Sequence, residues 1–221
     1  MNIKVEKLFP KVYLFTFDTR YELCMSFIRW QEFYESPKFR GKYFELEEFI
    51  DYWAKEFGHG SFDYPSTWNG FNIPGKVIMD WIMKADKVGG KDRARETEVL
   101  EKLQDITKDG DSISDIYIIA AHKEQAEEDR KASINHEIAH ALYYLYPEYK
   151  KRCDKLIKKA SSKSIITATR TLLKLGYCRK VLKDEMQAYF STYNCKAGLM
   201  PKLNFCRNFK KFCDRLKLNK K

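Results

Sequence analysis

The sequence lacks the features of an exported or membrane-spanning chain. Its first residues, MNIKVEKLFPKVYLF, contain neither the uninterrupted apolar run nor the small-residue cleavage site of a signal peptide. No stretch approaches the roughly eighteen consecutive apolar residues that a transmembrane helix requires. We therefore expect an intracellular, cytoplasmic protein with no membrane partner.

The six cysteines lack the spacing of a zinc knuckle. None of them forms a CxxC pair, and five of the six follow residue 150. We expect reduced thiols that pack in the interior, with a cysteine zinc site as the less favoured alternative.

Composition predicts a folded enzyme-sized domain. The chain is 44% hydrophobic and 33% charged, a balance that can bury a core and argues against disorder. Its 221 residues suffice for one sizeable core or for two small lobes that share a cleft. We predict a single domain over residues 1–221, with residues 1–110 as a candidate lobe of an active-site cleft.

The charge is strongly basic, with 41 Lys and Arg against 31 Asp and Glu, a net charge of +10. It concentrates in YKKRCDKLIKKASSK and in the tail RNFKKFCDRLKLNKK. Such surfaces can attract nucleic acid or an acidic partner. No nucleic-acid-binding motif accompanies the charge, so solvated helix faces are favoured, and we expect weak nucleic-acid binding or none at physiological salt.

Hydrophobic patterning predicts an α+β fold dominated by helices. Lys11–Phe17 is a candidate strand, followed by a helix that Thr19 and Glu22 begin with a capping box. Helical periodicity continues in FELEEFIDYWAKEF, KVIMDWIMKADKV and RETEVLEKLQDI, and in several segments after Pro147. Between the first two of these, residues 58–75 predict an ordered loop whose aromatic side chains either line a cleft or pack over the core. The best strand is Ser112–His122, just before the most distinctive helix.

That helix contains SINHEIAHALYYLYP. Residues i and i+4 share a helix face, so His136 and His140 can aim two imidazoles at one point, which is half of a tetrahedral zinc site. Glu137 lies about 100° round the helix from His136 and is placed to act as a general base. The alternative is two core histidines hydrogen-bonded to neighbouring groups.

Glu185 is the strongest candidate for a third ligand. Four apolar or aromatic residues surround it at helical spacing: Val181, Leu182, Ala188 and Tyr189. Asp184 is the weaker candidate, because its side chain is shorter and its neighbours are more polar. The alternative to metal binding is a structural ion pair between Glu185 and Arg179 or a lysine. The remaining histidines, His59 in a glycine loop and His122 at the end of a strand, are poorer candidates.

HEIAH with a downstream glutamate resembles the zincin metallopeptidases of the gluzincin type. The resemblance implies a zincin-like domain in which His136, His140 and Glu185 hold Zn²⁺ and an edge strand precedes the HExxH helix. It also implies hydrolysis of a protein or peptide by zinc-activated water, with Glu137 as general base. The metzincin pattern HExxHxxGxxH is absent, and 44 residues separate His140 from Glu185, more than in the best-known gluzincins.

A tyrosine often stabilises the oxyanion in this group, and Tyr189 and Tyr193 are the candidates. Both also fit a role as amphipathic core residues. The leading function is thus a zinc endopeptidase. Two alternatives remain: a nucleic-acid-associated basic protein with a structural zinc, and a catalytically inactive zincin that serves as an interaction module. Glu137 weighs against the inactive module, since a structural site needs no general base.

Overall fold

The computed structural model describes residues 1–175, 177, 179–192 and 199–218. The chain divides into two compact units, Met1–Arg130 and Lys131–Lys221. Helices dominate and a small four-stranded sheet accompanies them, which confirms the α+β class. The prediction of a single domain over residues 1–221 stays a prediction. None of the described helices is both long enough and apolar enough to cross a membrane.

The sheet belongs to the first unit and has the strand order β1-β2-β4-β3. Its strands are β1 (Ile3–Phe9), β2 (Val12–Phe17), β3 (Gly70–Pro74) and β4 (Tyr117–His122). β1 and β2 form an antiparallel hairpin, while β4 pairs with β2 in parallel and with β3 in antiparallel orientation. β2 and β4 are the two interior strands, and all six residues of β4 are buried.

The prediction of an edge strand before the HExxH helix is wrong. The strand predicted at Ser112–His122 exists over Tyr117–His122, but β2 and β3 pair with both of its sides. Its backbone groups are therefore already used and cannot take up an extended peptide as an additional strand. The edges are β1, which the sequence analysis missed, and β3.

Five helices complete the first unit: α1 (Arg20–Glu35), α2 (Leu46–Glu56), α3 (Tyr64–Thr67), α4 (Gly75–Lys87) and α5 (Ala94–Lys108). The predicted capping box is confirmed, since the Thr19 hydroxyl accepts from the Glu22 N–H at 3.1 Å and the Glu22 carboxylate accepts from the Thr19 N–H at 3.1 Å. The loop predicted at residues 58–75 is wrong in part, because it contains α3 and β3. Its rings pack into the core of this unit, as the Trp68–Phe71 stack at 5.4 Å shows.

The first unit buries one ion pair completely. Arg29 is 0% and Glu96 1% exposed. The Arg29 guanidinium binds both Glu96 oxygens, with Nε at 2.7 Å from Oε1, and the Arg93 N–H donates to Oε2 at 2.9 Å. The Trp81 ring lies 4.9 Å from the guanidinium. Both charges are therefore matched by partners within the unit.

The described part of the second unit is helical. The unit boundary falls within α6 (Glu127–Leu145), after which come α7 (Pro147–Lys159), α8 (Ser162–Lys174), α9 (Leu182–Ser191) and α10 (Leu203–Leu218). Proline at the first position of α7 ends α6 and begins the next helix. Apolar residues of α8, α9 and α10 form a common core that includes Leu172, Phe190 and Phe205. This core fixes α9, which carries Glu185.

Four cysteines lie among the described residues, and all four are free thiols: Cys24, Cys153, Cys206 and Cys213. The reduced-thiol prediction is confirmed for them, while Cys178 and Cys195 lie outside the described residues. Burial raises the pKa of Cys24 to about 12 and that of Cys153 to about 12. Cys24, Cys153 and Cys213 pack in the interior, whereas Cys206 is half-buried.

Candidate metal centre

α6 presents His136 and His140 on one face, one turn apart. Each residue is only 4% exposed. Their Nε2 atoms lie 3.3 Å apart, and the ring planes are inclined by 80°. Two nitrogens bound to one tetrahedral zinc at about 2.05 Å would be separated by about 3.3 Å. The spacing is therefore that of two ligands of a common ion.

Glu185 brings a carboxylate to the same point from the first turn of α9. Its Oε2 lies 3.8 Å from His136 Nε2, and its Oε1 lies 3.7 Å from His140 Nε2. Glu185 is 8% exposed. One ligand atom from each of the three residues lies within 4.8 Å of the others, so the group could hold a metal ion. The identity of the ion does not follow from this geometry alone.

Asp184 takes a different position from its neighbour. Its Oδ1 lies 2.9 Å from His140 Nδ1, on the opposite side of the ring from Nε2. The same oxygen accepts a hydrogen bond from Gln187 Nε2 at 3.0 Å. Asp184 thus orients the His140 ring, and Glu185 is the carboxylate that faces the two Nε2 atoms. Such carboxylate–histidine pairs commonly fix the tautomer of a metal-binding imidazole.

His136 is oriented by Thr192, which lies at the end of α9. The Thr192 hydroxyl donates to the Ala188 carbonyl at 2.8 Å, so its lone pairs are free to face His136 Nδ1 at 3.5 Å. Both histidines therefore have an acceptor at Nδ1. A neutral imidazole with its proton on Nδ1 has a lone pair on Nε2. In that tautomer each Nε2 would present a lone pair to the centre, as a metal ligand must.

The residues present fit a cation. Glu185 Oε2 is buried and accepts no hydrogen bond from any described residue. A buried carboxylate oxygen without a hydrogen bond is costly unless a positive charge lies beside it. Burial lowers the pKa of His140, but the carboxylates of Asp184 and Glu185 outweigh it and hold that pKa well above its usual range. The centre accordingly attracts positive charge, whether as a proton or as a metal ion.

Glu137 follows His136 on α6 and is half-buried. Its carboxylate acts electrostatically on His140, Tyr177 and Tyr189, and raises the pKa of each. It is not one of the three residues whose ligand atoms converge. Glu137 therefore lies beside the centre as an additional carboxylate.

Two phenols lie near the centre. The Tyr189 ring is 4.5 Å from the His136 ring, and its hydroxyl lies 3.4 Å from that of Tyr177. Burial raises the pKa of both tyrosines, so both stay protonated and can donate hydrogen bonds at neutral pH. Tyr193, the other tyrosine suggested by the sequence, lies outside the described residues.

The sequence analysis missed the residues that support the ligands. Gln187 is fully buried, and its amide nitrogen also donates to the Ala139 carbonyl of α6 at 3.0 Å. Its oxygen accepts from the Tyr149 hydroxyl of α7 at 3.2 Å. Gln187 thus ties α9 to α6 and α7 at the level of the centre. A single glutamine in a helix has no sequence signature of this role, and Tyr177 precedes α9 outside any periodic pattern.

No protein-family model, curated protein or solved structure matches this chain.

Proposed function

We propose that the chain is a zinc-dependent peptidase of the zincin type, with its zinc held by His136, His140 and Glu185. The observation that carries the proposal is the convergence of two Nε2 atoms and a buried carboxylate oxygen that accepts no hydrogen bond from any described residue. The HExxH sequence supports it further, because Glu137 directly follows the first proposed ligand. The substrate class is a protein or a peptide.

The ligand set favours zinc over other common ions. Two imidazoles and one carboxylate suit zinc, whereas calcium and magnesium prefer oxygen ligands alone. Three protein ligands also leave a coordination position open, as catalytic zinc sites do and structural sites with four ligands do not. When bound, zinc supplies a Lewis acid that activates water and polarises a carbonyl group.

The chain's own residues supply proton transfer and hydrogen bonds. The Glu137 carboxylate would accept a proton from the attacking water and deliver it to the nitrogen of the leaving amine. The Tyr189 phenol is protonated and buried beside His136, which suits a donor to the developing negative charge on the carbonyl oxygen. Asp184 and Thr192 hold the two imidazoles in the orientation that metal binding requires.

The proposal is tested by comparing wild-type protein with Glu137→Gln. Zinc content is measured on both proteins, and hydrolysis is measured on a broad peptide library with and without a chelator. Glu128→Gln is the matched control, because it removes a carboxylate from an exposed position on the same helix. We expect one zinc per chain in all three proteins, and a loss of hydrolysis of about 100-fold or more in Glu137→Gln alone.

Two results would contradict the proposal. Equal, chelator-sensitive hydrolysis by wild type and Glu137→Gln would show that another residue is the base. Zinc in all three proteins without hydrolysis of any peptide would favour an inactive zincin or a structural zinc.

A further inference from the structure

The two units of the chain carry opposite charge. Met1–Arg130 contains 19 Lys and Arg against 25 Asp and Glu, a net charge of −6. Lys131–Lys221 contains 22 against 6, a net charge of +16. Three of those six acidic residues, Glu137, Asp184 and Glu185, belong to the metal centre. Elsewhere the second unit has 22 basic residues against 3 acidic ones, which are Glu148, Asp154 and Asp214.

Part of this charge lines a groove between α7 and α10, with a volume of about 480 Å³. Five basic side chains line it: Arg152, Arg207, Lys210, Lys211 and Arg215. Asp214 is the one acidic residue of the lining. Arg207, Lys211 and Arg215 follow one another at intervals of four residues, so they form a basic row with a repeat of about 6 Å along α10.

Packing between α7 and α10 holds this row in place. The buried Phe212 ring lies 5.1 Å from the Tyr149 ring of α7. Arg215 forms an ion pair with Glu148, and Lys210 pairs with Asp214 at 2.6 Å. By contrast, Arg152, Arg207 and Lys211 are exposed, and none of the three forms an ion pair with a described residue. Three cations of the groove are thus left for an external anion.

We infer that the α7–α10 groove binds the phosphodiester backbone of a nucleic-acid duplex without reading its sequence. A duplex carries about one negative charge per 1.7 Å of its length, and a field as large as that of the second unit complements such a polyanion. The sequence alone favoured solvated helix faces. The division of charge between the units and the unpaired cations of the groove change that expectation.

The structure of the groove favours a duplex over other anionic partners. Single-stranded nucleic acid is usually bound with the help of exposed aromatic rings, but Phe212, the aromatic residue of this groove, is only 2% exposed. A membrane surface would require an apolar helix face to insert. The apolar face of α10 is instead buried, through Phe205, Phe212 and Leu216.

The test measures binding of the full chain to short fluorescent duplexes of DNA and of RNA by anisotropy, between about 50 and 200 mM salt. The groove variant is Arg152→Gln with Arg207→Gln and Lys211→Gln. Its matched control is Arg40→Gln with Lys84→Gln and Lys87→Gln, three exposed cations of a cleft of about 490 Å³ in the first unit. Circular dichroism and thermal unfolding check that both variants fold.

We expect saturable binding of at least one duplex, with affinity falling steeply as salt rises. The groove variant should bind at least tenfold more weakly, and its salt slope on DNA should fall by about 2.7, or 0.9 for each lost phosphate contact. The control should change affinity by less than threefold. DNA and RNA are compared to identify which duplex is preferred.

Three outcomes would overturn the inference. One is an equal loss in both variants, since the groove would then be irrelevant. The second is displacement of the duplex by polyglutamate at equal charge, which would indicate an acidic protein as the partner. The third is tighter binding to anionic lipid vesicles or to single strands than to either duplex.

Discussion

Each unit of this protein buries a glutamate, and the two glutamates differ in the partners of their carboxylate oxygens. In the first unit, both Glu96 oxygens are bound by the Arg29 guanidinium and a backbone N–H adds a further hydrogen bond. In the second unit, Glu185 faces two imidazole nitrogens, and its Oε2 accepts no hydrogen bond from any described residue. Both oxygens of Glu96 accept hydrogen bonds from the chain, whereas Oε2 of Glu185 accepts none from the described residues.

The difference does not come from a shortage of basic residues. The second unit has 22 Lys and Arg, three more than the first. Yet the described ion pairs of Glu185 are to His136 and His140 alone. We interpret this buried carboxylate, which has no lysine or arginine partner among the described residues of so basic a unit, as a ligand of the proposed metal ion.

The largest effect on stability should come from breaking the buried Arg29–Glu96 ion pair. Glu96→Gln removes the buried counterion of the Arg29 guanidinium and leaves only the exposed Glu45 carboxylate, 3.6 Å away, which should lower the free energy of unfolding by about 3 to 5 kcal/mol. Urea denaturation measures this loss, which should be the same with zinc and with a chelator. The matched variant Glu185→Gln, measured in chelator, should cost much less, because Asp184 still pairs with His140. Equal costs would remove the distinction between the two glutamates.

Zinc should stabilise the protein by binding to the centre formed by His136, His140 and Glu185. At a free zinc concentration of 100 times the dissociation constant, the gain is about 2.7 kcal/mol. Thermal unfolding of wild type and Glu96→Gln should shift upwards with zinc, whereas Glu185→Gln should lose most of this shift. A zinc-dependent shift retained in full by Glu185→Gln would place the metal elsewhere.

The residues that orient the ligands should have a smaller effect. Asp184→Asn keeps the shape of the side chain but removes the charge beside His140 Nδ1, so zinc affinity should fall by about 10- to 100-fold. Competition with a chromophoric chelator measures this change. Asp154→Asn is the control, because Asp154 accepts a hydrogen bond from Tyr143 at 2.8 Å and lies outside the ligand set. Unchanged affinity in Asp184→Asn would assign Asp184 no part in the centre.

The smallest expected effect concerns the thiols. Because burial raises the pKa of Cys24 and of Cys153 to about 12, both stay protonated at pH 8. The half-buried Cys206 should therefore react with a thiol reagent before either of them. Mass spectrometry of peptides from briefly labelled protein gives the order. Early labelling of Cys153 would contradict the burial of its thiol between the helices of the second unit.

The sequence predicted much of the centre because helix geometry is local. The spacing of His136 and His140 fixes their common face, and the apolar neighbours of Glu185 predict its burial. The support from Gln187 and Thr192 depends on how α9 packs against α6, which no local pattern encodes. The same limit applies to the sheet. A continuous apolar run predicts β4 as a strand. Its interior position depends on pairing with β3, and β3 was not predicted because the composition of residues 58–75 is typical of a loop.

The central claim is that the second unit holds zinc through two imidazoles and a carboxylate. The most direct measurement is the X-ray absorption spectrum of the zinc-loaded full chain, with zinc content determined on the same sample. We predict one zinc per chain, with only nitrogen and oxygen ligands at about 2.0 to 2.2 Å and the signature of two imidazoles. Sulfur ligands at about 2.3 Å, or an unchanged spectrum and zinc content in a His136→Ala His140→Ala variant, would contradict it.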